Sequence, residues 1–137
     1  MKKLILFGFL MFGLWSCSPD DDNLPSFYLE TLPIESVNIP EVFVFGSTYE
    51  ISMTYLRPTG CHLFNDFYYV SELNQRTIAI INTVFTDQPC TDLEDEFITV
   101  SFDFQVTSMD NYVFRFWLGP DESGNDTYHI VEIPVIN

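Results

Sequence analysis

An all-β chain, folded as an antiparallel sandwich of about seven strands, is predicted by three observations. Apolar and polar residues alternate with a period of two in several short runs. Turn signals separate these runs at Gly46-Ser47, Arg57-Pro58-Thr59-Gly60, Leu73-Asn74-Gln75, Asp87-Gln88-Pro89 and 119–126. No segment shows the 3.6-residue period of an amphipathic helix. A small β-barrel is the alternative architecture.

Taken in order, the chain opens with Lys2 and Lys3, followed by a nearly unbroken apolar run from Leu4 to Trp15. As a helix that run reaches roughly 18 Å at about 1.5 Å per residue. A hydrocarbon core is roughly 30 Å thick, so the run is too short for a settled transmembrane helix. A positive start and a short apolar core ending in a small residue are the layout of a cleaved export signal. Leu14-Trp15-Ser16-Cys17 resembles the lipobox of bacterial lipoproteins, and Asp20-Asp21-Asp22 looks like the surface-export tag of Bacteroidota lipoproteins. The resemblance implies cleavage before Cys17, a diacylglyceryl group on its thiol and acylation of the new amine. Two or more acyl chains anchor stably where one binds only marginally. The implied location is the outer membrane, lipid-anchored and facing the cell surface. The divisions that follow are a signal over 1–16, a lipidated tether over 17–30 and a sandwich domain over 31–137. The tether is polar, with Ser18, Pro19, three aspartates, Asn23, Pro25 and Ser26.

Removal of the signal changes the composition. The remaining 121 residues suit one domain. Both lysines lie in the signal, which leaves Arg57, Arg76 and Arg115 against all 20 acidic residues, a formal charge of −17. Such a surface repels nucleic acid and anionic membrane and attracts cations. All but four of the chain's aromatic residues lie after the signal, which argues against disorder. Once the lipobox resemblance assigns Cys17 to lipid, Cys61 and Cys90 remain as a pair, compatible with a disulfide in the envelope. Two free thiols are the alternative. A metal site has little support, since neither cysteine belongs to a C-x-x-C motif and only His62 lies beside one.

Within the body, 97–106 is the clearest strand: Ile98, Val100, Phe102, Phe104 and Val106 alternate with Thr99, Ser101, Asp103 and Gln105. In 49–55, Tyr49, Ile51, Met53 and Tyr55 form one face. In 112–118, Tyr112, Phe114, Phe116 and Leu118 form one face and Val113, Arg115 and Trp117 the other. Less regular strands fit 41–45, 64–70, 76–85 and 127–135, and Pro134 places the last at an edge or bulge. Asp110-Asn111-Tyr112-Val113-Phe114 resembles the tyrosine corner of immunoglobulin-like domains, which implies that Tyr112 bonds back to the corner preceding it. Phe114 stands where those domains carry a cysteine, so a Cys61–Cys90 bridge staples a different place.

Candidate chemistry is sparse. His62 and His129 are the two histidines, and no G-x-S-x-G, H-E-x-x-H or glycine-rich phosphate loop is present. Cys61 and His62 are adjacent, and adjacent residues of a strand point to opposite faces. Two acidic loops supply oxygen ligands of the type calcium takes, one with Asp92, Glu94, Asp95 and Glu96, the other running from Asp121 to Asp126. Neither has EF-hand spacing. With Tyr112, Phe114 and Phe116 inward, an outward stripe of Val113, Arg115, Trp117, Tyr128 and Ile130 is expected, a residue mixture that marks protein interfaces and, through Trp and Tyr, stacks on sugar rings. The bland reading covers this face with the N-terminal segment, or pairs Arg115 with Glu132 and lays it across Trp117. The expected function is a non-enzymatic binding or envelope-support domain for a protein or glycan, with no cofactor unless calcium and no nucleic-acid partner. A protease inhibitor presenting loops 57–62 and 119–126 is the second reading, and a carboxylate-dependent hydrolase the third.

Overall fold

The computed structural model describes Leu24 and residues 26–137; the expected signal and lipobox, Cys17 included, lie outside the described residues. Ten strands form: β1 (Phe27–Leu32), β2 (Ile34–Asn38), β3 (Phe43–Val44), β4 (Thr48–Leu56), β5 (His62–Glu72), β6 (Gln75–Phe85), β7 (Phe97–Gln105), β8 (Tyr112–Pro120), β9 (Asp126–Ile133) and β10 (Val135–Ile136). No helix occurs among the described residues. The strands make a five-stranded sheet containing β1, β5, β6, β8 and β9, a three-stranded sheet ordered β2-β4-β7, and a short β10-β3 pair. No sheet closes on itself, so the molecule is a sandwich and not a barrel.

The three strands beyond seven are β1 and β2, in a segment where no strand is expected from the sequence, and β10, which Pro134 splits from the 127–135 run because proline has no N–H to donate to a ladder. Pro33 separates β1 from β2 and so passes the chain from one sheet to the other. Pro134 separates β9 from β10, and its carbonyl accepts the Phe43 N–H at 3.0 Å. Phe27–Glu30 belong to β1 and not to the tether, since β6 offers them an edge: Phe27 pairs with Phe85 and Glu30 with Asn82. Leu118 does not continue the inward face of β8. It sits in the irregularity between Trp117 and Gly119 and is exposed. Two pairings, β6–β8 and β10–β3, are parallel, which alternation alone does not predict.

The core follows the period of two. Ile51, Met53 and Tyr55 of β4, Ile78 and Ile80 of β6, and Tyr112, Phe114 and Phe116 of β8 are all buried. Phe43 stacks on Tyr49 at 5.0 Å and meets Phe104 and Phe114 at 5.5 and 6.0 Å. Burying each such ring contributes on the order of 1.5–3 kcal/mol. The tyrosine corner forms: the Tyr112 hydroxyl accepts from the backbone N–H of Thr107 at 3.2 Å and of Ser108 at 3.1 Å. Cys61 and Cys90 form a disulfide with Cα atoms 5.3 Å apart, tying the start of β5 to the loop after β6.

Candidate functional site: a cleft where the sheet forks

β6 is flanked along its length by β5, but on its other side it changes neighbour. Gln75–Ile78 pair with β8, ending at Ile78↔Phe116, whereas Ile80–Phe85 pair with β1, beginning at Ile80↔Leu32. Ala79 falls at the fork. A cleft of about 280 Å³ opens there on the outer face, lined by Thr31, Tyr68, Thr77, Ala79, Trp117, Asp126 and Tyr128. Alternation places these residues. Tyr68 pairs with Ala79 across β5–β6, Trp117 with Tyr128 across β8–β9, and all are out of phase with the buried Ile78, Phe116 and Ile80. The small Ala79 side chain leaves room between the larger ones.

The fork is held open by the crossover at Pro33. Gly119 has φ of +97°, and a Cβ there would lie 3.2 Å from Pro33 Cγ, so glycine suits both the backbone and the close approach. Polar groups in the cleft are set by local bonds. The Trp117 indole N–H donates to Asp126 Oδ1 at 2.9 Å, which orients the ring. The Arg115 guanidinium lies 4.0 Å from the Tyr128 ring centroid and makes no salt bridge among the described residues. Glu132 instead accepts from Asn111 Nδ2 at 3.2 Å.

The predicted stripe is thus brought together, with differences. Arg115 stacks on Tyr128 and not across Trp117. Val113, Arg115, Trp117 and Tyr128 are half-buried, and Ile130 is exposed. Sequence reasoning missed Tyr68, Thr31, Thr77 and Ala79. The available signal was the alternation of Thr77 and Ala79 with Ile78 and Ile80; which strand lies beside them had none. β1 lies beside β6 in the plane of the same sheet, from Leu32 back to Phe27, and so extends this face without covering it.

The acidic loops are occupied internally. Asp121 Oδ1 accepts from the N–H groups of Ser123 and Asn125, both at 2.9 Å, and so caps its own turn. Glu96 pairs with Arg57 at 2.9 Å, and Asp92 bridges to Thr59. Glu94 and Asp95 are exposed. Among the described residues no three acidic, histidine or cysteine side chains converge as a metal site would require.

His62 carries the other polar constellation. It is buried on the core side of β5, where its Nε2 meets Glu30 Oε2 at 2.6 Å and its Nδ1 meets Thr59 Oγ1 at 2.8 Å. A hydroxyl, an imidazole and a carboxylate in this order are the parts of a nucleophile relay. The neighbouring backbone donors are already used, however. Gly60 N–H goes to Thr91, Cys61 N–H to Thr59 Oγ1 and His62 N–H to the Thr59 carbonyl. None of the three remains to stabilise an oxyanion. Arg57 closes the loop further, donating to the His62 and Gly60 carbonyls at 2.7 and 3.0 Å. Loop 57–62 is therefore packed against the sheet and not presented. His129 lies far along β9, exposed, with its ring 6.5 Å from Phe116.

Comparison with known proteins returns no matching family model, no matching curated protein and no matching solved structure.

Proposed function

We infer that the chain is a lipid-anchored, surface-exposed, non-enzymatic domain that binds a partner through the outer face of its five-stranded sheet. The observation that carries this reading is the cleft at the fork, where Trp117, Tyr128 and Tyr68 surround a small floor residue and an exposed carboxylate. Concave sites lined by aromatic side chains with a few placed polar groups are the usual form of a binding site. The lipobox resemblance of Leu14–Cys17 and the acidic run after it support the anchor and the outward location. The absence of catalytic motifs in the sequence, and the use of the backbone donors beside His62 within their own loop, support a binding role over hydrolysis. The packed state of loop 57–62 weighs against one of the two loops of the protease-inhibitor reading, while residues 121–126 of the other are exposed.

Palmitate labelling of cells expressing the chain is expected to be lost in Cys17→Ala, and whole-cell protease treatment is expected to degrade the wild-type protein. Labelling that persists in the variant overturns the anchor, and full protection from protease overturns the outward location.

A further inference from the structure

We propose that the cleft at the fork is a receptor for a basic side chain, lysine or arginine, presented by a protein partner. This rests on the binding-domain reading above and narrows it to one ligand chemistry. Tyr68 pairs with Ala79 from β5, and Trp117 directly follows Phe116, the last β8 residue paired with β6, so both rings line the cleft. A ring face attracts a cation within roughly 6 Å, and indole is the strongest of the aromatic faces. Asp126 adds a carboxylate at the same cleft. One of its oxygens is held by the Trp117 indole N–H at 2.9 Å, which fixes the carboxylate beside the ring it orients. Tyr128 already holds a guanidinium, that of Arg115, at 4.0 Å.

Charge decides among ligand classes. Residues 17–137 hold three arginines, no lysine and 20 acidic residues. Two of those arginines are engaged elsewhere, Arg57 with Glu96 and Arg76 with the Leu73 and Gln75 carbonyls. A field of this sign draws a basic partner in and repels an acidic one. A neutral sugar would stack on the same rings but would gain nothing from that field.

The test uses the full chain carrying Trp15→Phe, which leaves Trp117 as the one indole and makes its fluorescence report on the cleft. Pentalysine, Nε-acetylated pentalysine, pentaglutamate and cellopentaose are titrated at physiological salt. The expected result is saturable quenching by pentalysine and by none of the other three. Asp126→Asn, which keeps an acceptor for the indole, is expected to weaken pentalysine binding at least tenfold. Glu122→Gln, the same charge change on the adjacent loop, is expected to alter it less than twofold. Ala79→Leu fills the cleft and abolishes the quenching, and Tyr68→Ser weakens it if the leucine variant fails to fold. Equal losses in the Asp126 and Glu122 variants overturn the proposal, because binding would then be diffuse attraction to an acidic surface. Quenching by cellopentaose, or none by pentalysine, also overturns it. Neither result touches the location of the domain, which the Cys17 and whole-cell experiments read independently.

Discussion

Leu73 shows how much one residue can depart from its surroundings. It is the first residue of the two-residue turn joining β5 to β6, is 97% exposed and has φ of +52°. Left-handed backbone costs an L residue roughly 1–2 kcal/mol, and a hairpin turn with positive φ at its first central position favours glycine. Leu73→Gly is therefore expected to stabilise the fold by about 1 kcal/mol, less the extra unfolded-state entropy of glycine. An upward shift of the urea midpoint checks this, and an unchanged midpoint contradicts it. Asn82 is a second departure. It is fully buried on the core face of β6, and neither amide atom has a hydrogen-bond partner among the described residues. Neither departure is legible in the sequence, since both depend on backbone angle or on what lies opposite.

At the scale of elements, the corner before β8 is the clearest unit. Tyr112 reaches back to two successive N–H groups of the 107–108 corner while its ring packs in the core against Phe104 at 5.0 Å. Asn74 reinforces the corner from the β5–β6 turn, donating to the Asp110 and Asn111 carbonyls at 3.0 and 3.2 Å. Tyr112→Phe keeps the ring and strands both N–H groups, so a loss of roughly 1–3 kcal/mol is expected. Chemical denaturation of the two proteins measures it; a loss below about 0.5 kcal/mol would mean water replaces the phenol without cost. This element was readable because a single tyrosine type at a strand start makes a local contact. The Pro33 crossover was not, although its physics is equally local: a proline stops a ladder, but the sequence does not say to which sheet the chain then moves.

At the scale of the molecule, the two sheets bury a tyrosine whose hydroxyl lies inside the sandwich. Burial pushes the Tyr55 pKa above its ordinary value, with the nearby Asn82 amide and Arg57 pulling it back in part. Partial burial does the same to Tyr69, which stays 43% exposed, opposed by Arg76. A raised acid pKa means that the folded chain keeps protons the unfolded chain has released. Their contribution is constant below the unfolded phenol pKa, near 10, and is lost as pH climbs above it. Stability measured by urea titration between pH 8 and 11 is expected to fall above pH 10, and Tyr55→Phe is expected to lessen that fall. An alkaline decline of equal steepness in the variant would show that another group governs it. The disulfide belongs to this scale as well: it closes a span of 29 residues between β5 and the loop after β6, worth roughly 3–4 kcal/mol in the chain-entropy account.

The sequence by itself determined the all-β class, the inward faces of the major strands and the outward stripe on β8 and β9, because a period of two assigns faces without reference to neighbours. It also indicated the tyrosine corner and the Cys61–Cys90 pair. Only the tertiary structure decided which strands lie side by side. The parallel meeting of β6 with β8, the departure of β1 at Pro33 and the gap over Ala79 all follow from that choice. The cleft therefore draws on five strands from three separate stretches of the chain, and Thr31, Tyr68 and Ala79 acquire a role only where the sheet forks. Alternation fixes the direction of a side chain; the identity of its neighbour depends on chain crossing and register, which long-range packing sets.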